Sequence, residues 1–249
     1  MLKRVQPHFE VGNQEYRNYL QPANQDVFQI FNDRLSKIDK DWYKKDILDF
    51  GCNVGHLLTT SDGLIDLNKY TGIDILQQSL DVAASLHPEA TWVHYNDYNS
   101  TFNPNGIKDA EIPLSKKFDY IIAYGVFTHC EIHEIKRLIN KLKLLLNDGG
   151  CLVFSIWESN HYLGYLNFLK NCFNIQLISN ENFLNINQKK SIYLVDRKTV
   201  VVDIENSQVE NCTWLETFYN RDYFINEVPG STFLDGIYSH HSIFLIKHE

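Results

Sequence analysis

ILDFGCNVGHLL, residues 47–58, reads as a buried strand that runs into a glycine turn and then a helix. Gly51 and Gly55 suit a turn in which a side chain would block close backbone approach or forbid the dihedral angles. Nucleotide-binding loops of this shape carry a third small residue where this chain has Asn53. Asparagine is one of the few other residues that enter the left-handed region at modest cost. The sequence therefore predicts a loop that is altered and intact.

Outward from the loop, strand and helix patterns alternate. YTGIDI makes a second strand ending in an acid, SLDVAASLH a helix stopped by Pro88, and TWVHYNDY a third strand that again ends in an acid. After a polar stretch come FDYIIAYG as the fourth strand, EIHEIKRLINKLKLLLNDGG as a helix closed by glycines, and CLVFSIW as the fifth strand. This order implies a parallel sheet covered on both faces. Upstream, QDVFQIFNDRLSKI places Val27, Ile30, Phe31, Leu35 and Ile38 near one helix face, as a lid or flank. Downstream, YLGYLNFLKNCF reads as a helix, SIYLVDRKTVVVDI as paired strands joined near 196–198, NRDYFINEV as a helix and HSIFLIKH as a terminal strand. We expect one domain over 1–249: an N-terminal helical lid (1–45), a ligand-binding core (46–160), and the rest of the sheet with a small inserted hairpin that could roof a pocket (161–249).

The 249 residues suffice for one α/β domain with a full core. A formal charge of -8 repels nucleic acid and anionic membrane surfaces in the absence of a basic patch. The densest basic stretch, EIKRLINKLK, spaces Lys136, Arg137, Lys141 and Lys143 as the solvated face of an amphipathic helix. Five cysteines with no C-x-x-C pair suggest buried thiols in a reducing compartment. The first residues contain no apolar signal core, and no run approaches the roughly 18 apolar residues of a membrane span, so a cytoplasmic location is expected.

In an open parallel sheet, ligands sit beyond the carboxyl ends of the strands at the switch point. There, Asp74 at the end of the second strand can accept the hydroxyls of a ribose, and Asp97 at the end of the third can accept from an exocyclic amine. LDFGCNVG, YTGIDI and HYNDY on successive strands resemble the class I S-adenosylmethionine-dependent methyltransferases over roughly residues 46–157. The resemblance implies a Rossmann-like, doubly wound, seven-stranded, mostly parallel sheet, and HSIFLIKH looks like the family's antiparallel last strand. It assigns Asp49, Gly51, Asn53 and Gly55, with Cys52 between them, to the methionine part of the cofactor. Asp74 and the following Ile75 fall to the ribose, Asp97 and Tyr98 to adenine, and Tyr124, Gly125 and Val126 to the methyl-transfer edge. Small-molecule members often close an N-terminal segment over the cofactor, and Arg17 in NQEYRNYL would then pair with the methionine carboxylate.

Methyl transfer from a sulfonium is an in-line displacement that relies mainly on positioning, and a base matters chiefly for a hydroxyl or a protonated amine. GVFTHCEIHE follows the fourth strand, and His129 is its candidate base. A similar F-E-H segment occurs in cyclopropane-forming lipid relatives, but Thr128 replaces their glutamate. His129 and His133 could share a helix face, yet the H-E-x-x-H pattern is not met, and His240-His241 is a poorer metal pair; no metal is expected. Trp157, Tyr162, Tyr165, Trp214, Phe218, Tyr219, Arg221 and Tyr223 make an aromatic-rich set able to line an acceptor pocket. The expected activity is methyl transfer to an oxygen or nitrogen of a small-molecule acceptor. The rivals are a non-catalytic binding module and an NAD-dependent dehydrogenase, whose G-x-G-x-x-G spacing GCNVGH lacks. The acceptor and the oligomeric state, a homodimer included, stay open.

Overall fold

A computed structural model describes residues 26–161, 189–195, 199–202, 215–238 and 241–249. Ten strands form one sheet among these residues. They are β1 (Ile47–Phe50), β2 (Tyr70–Asp74), β3 (Thr91–His94), β4 (Phe118–Ala123), β5 (Leu146–Glu158), β6 (Ser191–Val195), β7 (Thr199–Val202), β8 (Leu215–Tyr219), β9 (Thr232–Tyr238) and β10 (His241–Lys247). Seven of them make the central order β3-β2-β1-β4-β5-β10-β9. The first five are mutually parallel, and β10 runs antiparallel to both β5 and β9. This is the Rossmann-like arrangement the sequence predicts, with HSIFLIKH as the antiparallel strand. The chain reverses its winding between β1 and β4, so a crevice opens at their carboxyl ends.

Side-chain alternation divides the core into two layers. Tyr120, Ile122, Val153 and Ile243 face helix α1 (Val27–Leu35) and Trp42, whereas Ile121, Leu152, Phe154 and Phe244 face helix α4 (Ile132–Lys143). Between these lie the short α2 (His56–Thr60) and α3 (Gln77–Leu86), whose C-cap, His87, stands just before Pro88. α4 starts with a reciprocal capping box between Glu131 and Glu134 and buries Ile135, Leu138, Ile139 and Leu142 at helical spacing. α5 (Arg221–Glu227) is capped by the Asn220 side chain.

Sequence expectations are met in part. The helical flank expected before β1 is present as α1: Phe31, Leu35 and Trp42 are wholly buried and form part of one core layer, because α1's apolar stripe has the sheet to cover, while residues 1–25 of the expected lid lie outside the described residues. Ile38 lies past the end of α1 and is 55% exposed. Gly149-Gly150 do not close α4, which ends at Lys143; they lie within β5, where Gly149 takes a φ of 76°. The expected hairpin is present as β6–β7. β6 pairs with β8, and β8 pairs with the tip of β5 at Trp157 and Glu158, so the hairpin extends the sheet.

Candidate active site

The turn after β1 answers the question raised by Asn53. Gly51, Asn53 and Gly55 have φ values of 75°, 51° and 77°, so three alternate positions are left-handed. Gly51 N and Cys52 N both donate to Ile73 O, at 2.8 and 3.1 Å, which stitches the turn to the end of β2. Asn53 is held by two further bonds. Its amide donates to Asp74 Oδ2 at 2.7 Å, and its Oδ1 accepts from the fully buried Ser79 hydroxyl at 2.9 Å. These contacts offset the modest cost of an asparagine in this conformation. Glycine is required at Gly51 for space as well as for φ: a Cβ there would lie 2.3 Å from Val126 Cγ2.

Two buried carboxylates face this turn. Asp74 accepts Asn53 N on one oxygen and Leu76 N on the other, at 2.7 and 2.9 Å. Burial raises its pKa, while the amides of Leu76, Asn53 and Ile75 pull it back down. Asp49 accepts the Tyr70 hydroxyl. Its pKa is pushed up to about 7, mainly by burial and further by the negative charge of Asp74, against the opposing Tyr70 bond. Cys52 is a buried thiol whose pKa burial pushes well up, so it behaves as a packing group under Gly72.

Asp97 is brought to the same end of the sheet with a partner that the sequence did not reveal. Arg137 Nη2 lies 2.7 Å from its Oδ2 and Nη1 3.4 Å from its Oδ1, and Ala110 N donates to Oδ1 at 3.1 Å. Arg137 also meets Asp109, and Lys141 donates to the Ala110 carbonyl at 2.6 Å. Arg137 and Lys141 thus turn inward to fasten the 97–110 segment onto α4, in contrast to the solvated face predicted for them. Tyr98 is half-buried, with Lys108 Nζ 5.2 Å from its ring centroid.

At the end of β4 the chain turns through Gly125, with φ 72°, into a one-turn 3-10 helix over Phe127–His129. His129 Nδ1 lies 2.7 Å from Leu215 O of β8. A carbonyl can only accept, so Nδ1 carries the hydrogen and, in the neutral ring, Nε2 is the basic nitrogen. The ring stands edge-on to Phe102 and Trp157, with centroids 4.9 and 5.9 Å apart. His133 is exposed on α4, with Nδ1 3.8 Å from Glu131 Oε2, so the two histidines share no helix face. No group of three potential metal ligands occurs among the described residues.

His241 was not singled out by the sequence as a member of this site. β10 pairs it with Trp157, which puts its ring 4.5 Å from Tyr124 and 5.5 Å from Trp157. The signal was its place as the first residue of the terminal apolar strand, but only strand pairing shows what it touches. Tyr124 itself is fixed by Phe31 of α1, with ring centroids 5.9 Å apart. Of the predicted aromatic set, Phe218 stacks on Trp157, with centroids 5.1 Å apart. Tyr219 is instead a core residue whose hydroxyl donates to Cys130 O, and Tyr223 stacks on it. Arg221 is committed to Glu158 and to the face of Phe233. Arg17, Tyr162, Tyr165, Trp214 and His240 lie outside the described residues.

Residues 48–152 match the family model of a methyltransferase domain. No curated protein sequence matches the chain. Among solved structures, DesVI of Streptomyces venezuelae is similar with a TM-score of 0.56 at 13% identity, over 94% of this chain and 96% of that one. An amino pentose methyltransferase of Micromonospora echinaspora, solved with bound SAM, gives 0.55 at 14% identity, over 97% and 100%. Magnesium protoporphyrin IX methyltransferase of Synechocystis, also with bound SAM, gives 0.52 at 11% identity, over 97% and 88%. The matched segment begins in β1 and ends in β5, so the similarity to a methyltransferase domain covers the left-handed loop and the strand-end acids, and the solved neighbours share the fold around them.

Proposed function

We propose that the protein transfers the methyl group of S-adenosylmethionine to an oxygen or nitrogen of a small-molecule acceptor lying against Tyr124, His129 and Trp157. The observation that carries this reading is the orientation of His129. Leu215 O fixes its tautomer, which makes Nε2 the proton acceptor beside an aromatic wall at the end of β4.

The cofactor suits the residues present. Asp49 and Asp74 are buried acids beside the loop, chemistry that favours a ligand bearing a sulfonium and an ammonium. Asp74 keeps lone pairs for ribose hydroxyls after taking one amide on each oxygen. On Asp97, Oδ2 retains an acceptor position beyond Arg137, enough for an adenine amine. Gly51, Asn53 and Gly55 supply the close backbone approach, with Cys52 and Ile75 as neighbours, and Tyr98, Tyr124 and Gly125 border the nucleoside and the reacting edge. The cofactor supplies an activated methyl group. The chain's own residues bind it, orient the acceptor through the rings of Tyr124 and Trp157, and take a proton at His129 Nε2.

Titration calorimetry with S-adenosylmethionine and NAD, paired with transfer of labelled methyl to a panel of amines and phenols, tests this reading. Wild type should bind the former compound only, and Asp74→Ala should weaken that binding at least tenfold, about 1.4 kcal/mol. His129→Ala should bind normally and transfer about a hundredfold more slowly. Unchanged transfer by His129→Ala would remove the base from the mechanism.

A further inference from the structure

The ladder of β4 ends at Ala123, so the amide of Gly125 has no strand partner at the point where the chain turns toward Val126. A side chain of β5 takes that bond. Gly125 N donates to Ser155 Oγ at 2.8 Å, and Ser155 is wholly buried. The same hydroxyl oxygen lies 3.1 Å from His241 Nδ1, in a bond whose direction depends on the imidazole tautomer. One hydroxyl can serve both neighbours, and the two bonds fix its rotamer. Beyond Gly125, Val126 is seated so closely against the glycine loop that a Cβ on Gly51 would come within 2.3 Å of its Cγ2.

We infer that Ser155 and His241 are a positioning pair for the cofactor loop. They set the left-handed turn at Gly125, and the turn presses Val126 against Gly51. This inference rests on the reading of that loop as the S-adenosylmethionine cradle. His241 joins β10, β5 and the end of β4 at one point, because its ring also packs on Tyr124 and Trp157. Without the hydroxyl, the half-buried amide loses its acceptor and the turn relaxes toward an ordinary φ. Val126 then withdraws from Gly51, and the loop loses the wall that holds its amides in place.

The test is calorimetry with S-adenosylmethionine on the full chain, with melting curves for each variant. Ser155→Ala and His241→Phe should each weaken binding at least fivefold. His241→Asn, which keeps a hydrogen-bonding atom near the Nδ1 position, should stay within twofold of wild type. The double variant Ser155→Ala, His241→Phe should bind no more weakly than Ser155→Ala alone, because both changes break one relay. Wild-type binding by Ser155→Ala, multiplying losses in the double variant, or an Asn variant as weak as Phe would each overturn the inference. A measurement on the wild-type protein decides the matter if the variants do not fold: the Gly125 amide should exchange slowly and slow further on cofactor binding, and an unaffected rate would refute the relay. Failure of the wild type to bind at all would instead refute the cofactor assignment of the loop.

Discussion

Replacing Asp49 by Asn separates what the buried acid does for folding from what it does for the ligand. Asp49 is 4% exposed, and its pKa is pushed up to about 7 from the ordinary 3.8 of an aspartate. A folded-state pKa above the unfolded one means that the folded protein holds the proton more tightly. The stability from this group is full below about pH 4 and is lost as pH rises to about 7. Between pH 5 and pH 8 the ionised carboxylate accounts for roughly two pKa units of that loss, about 3 kcal/mol. Asparagine removes the titration while its carbonyl still accepts the Tyr70 hydroxyl. In urea unfolding without cofactor, Asp49→Asn should therefore gain about 3 kcal/mol relative to wild type on going from pH 5 to pH 8. The same variant should bind S-adenosylmethionine less tightly at pH 8, while binding of the uncharged-sulfur product, S-adenosylhomocysteine, should fall less. A stability difference that stays constant across this pH range would refute the claim that burial keeps Asp49 protonated near neutrality.

The other perturbations probe the loop and its anchor. Asn53→Val forces a β-branched residue to a φ near 51° and removes the acceptor for Ser79, so it should destabilise by about 2–3 kcal/mol in urea unfolding, whereas Asn53→Gly should stay within about 1 kcal/mol of wild type. Equal melting of the two variants would show that the left-handed turn imposes no constraint. Arg137→Ala leaves the buried Asp97 carboxylate without its guanidinium partner. It should cost about 3 kcal/mol, and adding Asp97→Asn should recover part of that loss. An additive loss in the double variant would argue against a shared ion pair.

The legible part of this chain is the part governed by short-range rules. Alternating apolar runs set the parallel strands, and Asn53 has the turn conformation its side chain permits. Asp74 meets the loop because β2 lies next to β1, and that adjacency follows from chain order. The partners that the sequence did not reveal are far apart along the chain: Arg137 from Asp97 by 40 residues and His241 from Ser155 by 86. Helical periodicity put Arg137 on a polar face, but it says nothing of a buried acid across that face. His241 opens an apolar strand and looks like any edge residue until β10 is paired with β5. The glycines at Gly149-Gly150 resembled a helix stop because a left-handed residue closes helices and bends strand entries alike.

The thirteen-residue span of β5 serves as a shared spine. Its middle is bracketed by β4 and β10, while its last two residues, Trp157 and Glu158, carry β8 and through it the β6–β7 hairpin. The parallel floor and the wing of β8, β6 and β7 are thus joined at the tip of β5 and by the bonds of Leu215, Thr217 and Tyr219 to the 127–130 turn. Trp157 packs on Phe218 of the wing and on His129 and His241 of the floor, which makes it the place where the two halves must agree.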